Sequence, residues 1–413
     1  MNPKIYSHLD LIKIFSPEVK KIFEVFLKEG GKGDEIKLVG GCVRDLLNGG
    51  EVKDYDFASK FLPEEIIVIL EKNNIKAIPT GIKFGTITAV TNHQHFEITT
   101  LRKDNENDGR HCVSEFVDDY FLDAARRDFT INALYLDSKG LVYDYFDGIS
   151  DLKNKKVKFI GDADERISED YLRILRFFRF NARYAENIDQ SGLRACINAK
   201  ENLKKLSKER IREEILKMLK ISEAENLLKI FQAMKEQKIW QEIFSHELDI
   251  SGLERLFAME SKLEFTTNIK LKIAAIFLKN TDNLKVFFYE ICATNLEKRY
   301  FEFLSKNFPL GSNSFEIDDL KLLLPFCDQQ LILDLYLFSL LQNFTRIDFS
   351  TAKKNIQYLE NFSLPEFPLN GEDLMQLGFK KEKIGIAMKR AKEFWAKNNF
   401  SLDRNSLVKF LNS

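Results

Sequence analysis

Hydrophobic and polar positions in the first 150 residues change period repeatedly, which predicts a mixed α/β domain. A continuous apolar run at residues 36–39 predicts a short buried strand, and apolar residues at helical spacing from 43 to 47 predict a helix after it. The DYDFA segment at 54–58 is rich in residues that favour strands. Further helices are predicted at 17–27 and 63–70, and further strands at 75–79, 86–91, 95–100 and 141–145.

From Ser168 almost to the end the pattern is helical, and no repeat of fixed length is visible. Residues 206–219 predict an amphipathic helix with a basic face. In residues 365–400, one predicted helix ends at Gly378, a typical C-cap residue, and a second carries Trp395. This pair is interpreted either as a grip on an RNA backbone or as a plain helical hairpin. We predict an α/β N-terminal head with a mixed sheet and an all-α C-terminal half, divided at 1–150, 151–220, 221–350 and 351–413.

Composition describes an ordinary globular protein of two or more domains, with 413 residues, 44% hydrophobic and 30% charged. The formal net charge is −1, but residues 151–220 hold 18 Lys and Arg against 12 Asp and Glu, so an RNA ligand would be held by a patch. No apolar run is long enough to span a membrane, and the N-terminus lacks a signal-peptide layout. We expect a cytoplasmic protein, with no protein partner implied, and reduced cysteines at 42, 112, 196, 292 and 327.

The segment between the first two predicted strands carries candidate phosphate and metal ligands. Gly40 and Gly41 allow the backbone to approach a ligand, and Arg44 beside them suits an anion such as phosphate. Asp54 and Asp56 lie two apart on a strand, so their carboxylates share a face. Such a pair is costly unless a cation neutralises it, and its hard oxygen atoms suit Mg²⁺. A glycine pair alone is usually a turn and an Asp-x-Asp a solvated loop, but joined they predict a phosphate cradle beside a metal site.

A second candidate segment, at 126–135, contains Arg127 and Asp128. From the residues alone these two form either a local ion pair of about 0–1 kcal/mol or part of a binding site. Glu97, on the strand at 95–100, is either a third carboxylate beside the aspartates or an outward polar residue. Residues 102–119 are polar and predict a long loop.

A third candidate segment opens with Glu169, and we predict one helix from an N-cap at Ser168 through it. A salt-bridged surface helix is the common outcome for such a charge run. A carboxylate next to a guanidinium also complements the exocyclic amine and ring nitrogen that cytosine and adenine share, and mismatches uracil and guanine. The charged positions recur every third residue, at Asp170, Arg173, Arg176 and Arg179.

Together these segments resemble the motifs of the class II tRNA nucleotidyltransferases and bacterial poly(A) polymerases. The matching residues are GGxVRD and DxD at 40–56, RRDFTxNA at 126–133 and EDxxR at 169–173. The resemblance implies a polymerase-β-like nucleotidyltransferase head, two Mg²⁺ at Asp54 and Asp56, and Glu97 close to them. It further implies that Arg127 binds nucleotide, Asp128 contacts ribose, and EDxxR selects the base without a template, leaving Arg176 and Arg179 nearer the triphosphate.

The activity that the resemblance implies is addition of C, C and A to the 3′ end of tRNA from CTP and ATP, with release of pyrophosphate. Alternatives are an enzyme adding only CC or only A, a bacterial poly(A) polymerase, and a non-catalytic RNA-binding module. The run PTGIKFGTITAV stands where poly(A) polymerases usually carry a basic GRRF-type run, and its Phe84 replaces a common His. With five histidines and no His-Asp dipeptide, we predict no HD-type phosphohydrolase activity.

Overall fold

The computed structural model describes residues 2–8, 10–13, 15–30, 35–52, 54–104, 114–277, 284–308, 315–380 and 382–412. The chain divides into two compact units, Met1–Ile243 and Phe244–Ser413. The first unit holds every strand of the main sheet, and every regular element described in the second unit is a helix. The predicted α/β-then-helical order is therefore confirmed, whereas the finer division into four regions stays a prediction.

The first unit is built on an eight-stranded mixed sheet in the order β1-β10-β9-β2-β3-β6-β5-β4. Only β3 and β6 pair in parallel, and all other neighbours are antiparallel. Its strands are β1 Lys4–Ser7, β2 Ile36–Val39, β3 Tyr55–Ser59, β4 Lys76–Gly81, β5 Thr86–Thr91, β6 Gln94–Thr100, β9 Leu134–Leu136 and β10 Leu141–Asp144; a separate pair consists of β7 Arg102–Asp104 and β8 Ser114–Phe116.

Alternation along the central strands separates a core face from a polar face. Phe57, Ile98 and Ile87 lie side by side on β3, β6 and β5 and are fully buried. They belong to a hydrophobic cluster that also includes residues of the helices Pro17–Gly30, Gly41–Leu47 and Pro63–Lys72. Asp56 and Glu97, one residue earlier on their strands, therefore lie on the opposite face. The helices of this unit are α1 Asp10–Lys13, α2 Pro17–Gly30, α3 Gly41–Leu47, α4 Pro63–Lys72, α5 Tyr120–Ala125, α6 Gly148–Lys153, α7 Ala163–Glu169, α8 Leu172–Tyr184, α9 Gln190–Ala199, α10 Lys208–Leu219 and α11 Ala224–Glu236.

Two local predictions are wrong. No single helix begins at Ser168, because Glu169 ends α7, Asp170 is extended, and α8 begins at Leu172. The Asp170 carboxylate accepts the Leu172 N–H at 3.1 Å, which satisfies a free donor at the start of α8. The predicted loop at 102–119 contains the antiparallel pair β7–β8 at its base, and residues 105–113 lie outside the described part.

The second unit packs helices around large apolar side chains. In α17 the buried residues run through ten consecutive positions from Ile332 to Leu341, so this helix is surrounded rather than amphipathic. Trp395 is 1% exposed and packs against Phe400 and Phe367, so it belongs to the core. Gly378, at φ 88°, follows the helix that was predicted to end there. The helices are α12 Ile250–Leu263, α13 Ile269–Phe277, α14 Leu284–Glu290, α15 Asn295–Asn307, α16 Ile317–Lys321, α17 Gln329–Gln342, α18 Phe349–Asn361, α19 Gly371–Gln376, α20 Glu382–Lys397 and α21 Arg404–Asn412.

Candidate active site

Two adjoining cavities open within the first unit, on the polar face of the sheet. The larger, of about 620 Å³, will be called the carboxylate cavity because Asp54, Asp56 and Glu51 line it. The smaller, of about 530 Å³, will be called the arginine cavity because Arg127, Arg173 and five further arginines line it. The two share Gly41, Asp56 and Arg179. All predicted site residues except Glu97 line one cavity or both.

Strand register places Glu97 beside the two aspartates. Asp56 and Glu97 are direct partners on the parallel strands β3 and β6. Burial and the neighbouring Glu97 raise the pKa of Asp56 to about 6, with a smaller contribution from Asp54 and an opposing one from Arg127. The site thus concentrates negative charge and hard oxygen donors, which fits a divalent cation. Among the described residues no group of three or more His, Cys, Asp or Glu side chains is arranged to hold a metal by itself, so a cation here would complete its shell with substrate oxygens and water.

Gly40 lies where the backbone and an arginine come close together. Its φ is 75°, and a Cβ added to it would lie 3.2 Å from Nη1 of Arg127. The Gly40 N–H donates to the Leu134 carbonyl at 3.1 Å, which joins the β2–α3 turn to β9. Glycine at position 40 is therefore required by backbone conformation and by the space that Arg127 occupies.

Two buried residues that sequence reasoning missed hold Arg127 in place. Nη2 of Arg127 donates to Asp123 at 2.9 Å, and the Tyr135 hydroxyl donates to the same carboxylate oxygen at 2.7 Å. Burial alone would raise the pKa of Asp123, but Arg127 and Arg126 hold it well below its usual range. Asp123 lies on α5, four residues before Arg127, which follows the end of that helix, and that i,i+4 spacing was the available signal.

Asp128 and Arg44 are both engaged by protein partners in the arginine cavity. Asp128 accepts from Nε of Arg176 at 2.7 Å and from the amide of Asn132 at 2.9 Å. Arg44 donates to Asn132 and to Asp45, and its guanidinium lies 4.2 Å from the centre of the Tyr184 ring. Asn132, a residue of the second motif, thus links the phosphate-motif arginine to the predicted ribose ligand.

The predicted base-selecting pair consists of two side chains with separate partners. Asp170 accepts from Nη2 of Arg210, on α10, at 2.7 Å. Arg173 donates to the Glu169 carboxylate and to the Arg166 carbonyl. Asp170, Arg173 and Arg210 all line the arginine cavity, with Asp170 and Arg210 partly exposed to it.

A second residue of α10, Glu214, binds Arg179, the last of the four regularly spaced charged residues. Glu214 is 2% exposed and accepts from Nε of Arg179 at 2.6 Å. Its other carboxylate oxygen lies 3.4 Å from the Lys217 ammonium group. Lys217 and Lys220 also line the carboxylate cavity with Arg183, so cations face the aspartates across it. Neither Arg210 nor Glu214 was predicted from the sequence, because their spacing marks only an amphipathic helix.

Comparison with known families matches two models to the chain. Residues 36–158 match the family described as "Poly A polymerase head domain". Residues 187–249 match the family described as "Probable RNA and SrmB- binding site of polymerase A". Among the described residues, no helix is long and apolar enough to cross a membrane.

Relatives cover nearly the whole chain. The chain is 32% identical over 433 aligned residues to the human mitochondrial CCA tRNA nucleotidyltransferase 1, covering 99% of this chain and 94% of the relative. Its fold is similar to the Bacillus stearothermophilus CCA-adding enzyme in complex with CTP, with a TM-score of 0.72 and 21% identity over 96% of this chain and 98% of that one. It is also similar to the Thermotoga maritima CCA-adding enzyme complexed with tRNA, with a TM-score of 0.67 and 20% identity over 100% and 99% of the two chains. The chain therefore belongs to the CCA-adding tRNA nucleotidyltransferase family, with a polymerase-β-like head followed by a helical half.

Proposed function

We propose that this protein adds C, C and A to the 3′ end of tRNA, using CTP and ATP and releasing pyrophosphate. The tRNA 3′-hydroxyl oxygen attacks the α-phosphorus of the nucleotide, and the bond from that phosphorus to the pyrophosphate leaving group breaks. The observation that carries the proposal is the meeting of three sequence motifs, far apart in the chain, at two cavities that share Asp56 and Arg179. Membership of the family supports the same reaction.

Asp54 and Asp56 are the residues that would hold Mg²⁺, with Glu97 next to them. Their oxygen atoms suit this cation, and its charge would offset the burial and the neighbouring Glu97 charge that raise the pKa of Asp56. Bound there, Mg²⁺ would act as a Lewis acid that lowers the pKa of the attacking hydroxyl and stabilises the leaving pyrophosphate.

Asp170 and Arg173 would read the base from the arginine cavity. A carboxylate accepts from the amine of cytosine or adenine, and a guanidinium donates to the adjacent ring nitrogen. Uracil or guanine would set an acceptor against the Asp170 carboxylate and a donor against the Arg173 guanidinium, so both hydrogen bonds to the base would be lost, at a cost of about 1–3 kcal/mol each. The partners Arg210 and Glu169 support this role because they hold the two side chains at the cavity wall before a nucleotide arrives.

The remaining cations of the arginine cavity would bind the triphosphate and sugar. Arg127 is held by Asp123 and Tyr135 with Nη1 next to Gly40, which suits a preorganised phosphate contact. Arg176 and Arg179 are each paired with a buried carboxylate, and Asp128, as the partner of Arg176, is placed for a ribose hydroxyl. Arg44 and Gly41 complete the phosphate side.

Membership of the family does not determine which nucleotides this protein adds or where in the cell it lies. Partial enzymes that add only CC or only A share these motifs, and the predicted full-length loop at 102–119 favours complete addition. The predicted cytoplasmic location stays a prediction, since the human relative is named as mitochondrial. The basic region after residue 150 and the helical half would bind the tRNA.

One incubation series tests the proposal. Purified protein is mixed with Mg²⁺ and either a tRNA lacking its CCA end or a tRNA ending in CC, then with CTP alone, ATP alone or both, and the 3′ ends are sequenced. We expect CC with CTP alone and CCA with both nucleotides. Addition that stops at CC, addition of A only to a tRNA ending in CC, or a long A tail identifies the corresponding alternative. The Asp54→Ala/Asp56→Ala double variant should be inactive; unchanged incorporation would contradict the catalytic assignment.

A further inference from the structure

Arg44 is a buried cation that takes its counter-charge from the next residue in the sequence. It is 5% exposed, and burying a guanidinium is costly unless a carboxylate and hydrogen-bond acceptors surround it. Among the described residues, Asp45 provides the only carboxylate within 4 Å of this guanidinium, and its Oδ1 accepts from Nε of Arg44 at 2.9 Å. The position of Arg44 therefore depends on the position of Asp45.

The pairing of Arg44 with Asp45 needs support from another element. Both residues belong to α3, and successive side chains leave a helix about 100° apart, so neighbours in sequence do not face each other. The support comes from Tyr184, the last residue of α8, whose hydroxyl donates to the same Oδ1 of Asp45 at 2.8 Å. Burial raises the pKa of Tyr184 against an opposing effect of Arg44, so the hydroxyl stays protonated and can donate. Tyr184 thus holds the Asp45 carboxylate on the side of Arg44.

The Tyr184 ring also contacts the guanidinium directly. Its centre lies 4.2 Å from Cζ of Arg44, which is close enough for a cation–π interaction. The ring is itself buried and stacks with that of Phe180, one turn earlier on α8. One side chain of α8 therefore restrains Arg44 twice, through its ring and through Asp45.

One nitrogen of Arg44 is left for a ligand. Nε donates to Asp45 and Nη1 donates to Oδ1 of Asn132. Nη2 has no protein acceptor among the described residues, and a Cβ added to Gly41 would lie 3.5 Å from it. Because Gly41 lines both the carboxylate and the arginine cavities, Nη2 adjoins the place where the two cavities meet. A fixed guanidinium N–H at this place suits a phosphate oxygen.

We propose that Asp45 and Tyr184 are positioning residues for the triphosphate, which hold the Arg44 guanidinium so that Nη2 donates to a phosphate oxygen beside Gly41. A guanidinium that is held in advance loses less rotamer freedom on binding, which increases affinity. Because α8 also carries Arg173, one helix positions both the proposed base-reading group and the phosphate-binding group. The proposal rests on the proposed function only in taking a nucleoside triphosphate as substrate.

The first test is Tyr184→Phe, which keeps the ring and removes only the hydroxyl. We expect the Kd of CTP to rise roughly 3- to 10-fold, as for the loss of one hydrogen bond, while the Kd of cytidine, which has no phosphate, stays the same. The matched control is Tyr300→Phe in the second unit, because that hydroxyl also donates to a buried carboxylate, Asp334, at 2.9 Å. Both variants should lower the Tm, but the control should leave the Kd of CTP unchanged. An unchanged Kd of CTP in Tyr184→Phe, or an equal rise for cytidine, would overturn the proposal.

The second test is Asp45→Asn, for which positioning and simple charge predict opposite signs. Asp45 lines the carboxylate cavity, so loss of its negative charge would by itself tighten the binding of CTP. If Asp45 positions Arg44, the binding of CTP should instead weaken, by roughly 10-fold. Tighter binding would overturn the positioning role of Asp45.

A double-mutant cycle tests whether Tyr184 acts through Arg44. In Arg44→Met, which has no guanidinium to hold, Tyr184→Phe should have no further effect on the Kd of CTP. A rise in Kd that persists in this background would overturn the proposal. All of these measurements use protein and nucleotide without tRNA. CTP binding that is not followed by addition to tRNA would therefore refute the proposed function and leave this inference intact.

Discussion

The Asp170 carboxylate lies 2.7 Å from the Arg210 guanidinium, across 40 residues of sequence and from a different helix. Its other oxygen accepts the Leu172 N–H at 3.1 Å, so both oxygens are held before any nucleotide binds. The acid that we propose selects the base is thus oriented by the protein and does not depend on the base for its position.

Base selection should depend more on Asp170 than on Arg210. Asp170→Asn replaces one acceptor by a donor, which suits the carbonyl of uracil, so the preference for CTP over UTP should fall by roughly 10-fold or more. Arg210→Met removes one of two supports of Asp170, and the preference should fall only a few-fold. Competition assays with mixed nucleotides measure both changes, with Arg346→Met in the second unit as the control. A stronger effect from Arg210→Met would contradict this ranking.

Asp56 should lower the free energy of unfolding even though the proposed reaction requires it. Its pKa in the folded protein is about 6, above the unfolded value near 3.9, so folding disfavours the charged form at neutral pH. Asp56→Asn should therefore abolish activity yet raise the free energy of unfolding by about 1–3 kcal/mol at pH 7 without metal. The gain should be absent below about pH 4, where Asp56 is protonated in both states, grow as the pH rises and be complete above about pH 6.

Urea unfolding in EDTA at several pH values measures this gain. The exposed Asp54 is the matched control, and Asp54→Asn should give a smaller gain. Loss of stability in Asp56→Asn at pH 7 would show that the carboxylate is needed for folding.

Asp123 should behave in the opposite way. Its folded pKa lies below the unfolded value, so its contribution is complete above about pH 4 and is lost as the pH falls further. Asp123→Asn leaves Arg127 and Arg126 without a buried counter-charge and should cost about 3–5 kcal/mol at pH 7, with a smaller gap to the wild type below pH 4. Denaturant titrations at the two pH values test this, and the exposed Asp118→Asn should change neither. A gap that widens in acid would contradict the sign.

Gly40 should be needed for more than its backbone conformation. Gly40→Ala introduces a Cβ at positive φ and 3.2 Å from Nη1 of Arg127, whereas Gly49→Ala at φ 71° meets nothing within 4 Å. Both should lose about 1 kcal/mol of stability from the strained backbone. Only Gly40→Ala should also lower kcat/KM, since it displaces Arg127. Equal kcat/KM in the two variants would mean that Arg127 tolerates the displacement.

The sequence by itself determined the strand–Gly-Gly–helix–strand order, the face shared by Asp54 and Asp56, and the α/β-then-helical division. Each of these follows from short-range rules, because hydrophobic period and glycine conformation act over a few residues. The same rules failed at Ser168, where an acidic first turn fits either one helix or two, and the Asp170 side chain decides for two by capping Leu172. They also missed the β7–β8 pair, whose polar residues carry no strand pattern.

Only the tertiary structure decided which partner each charged side chain takes. Asp170 pairs with Arg210, Arg179 with Glu214, and Asp56 lies beside Glu97. A pattern of charged residues indicates that these side chains need partners. An ion pair forms only between groups that packing brings within about 4 Å, and that distance depends on how segments far apart in the chain pack together.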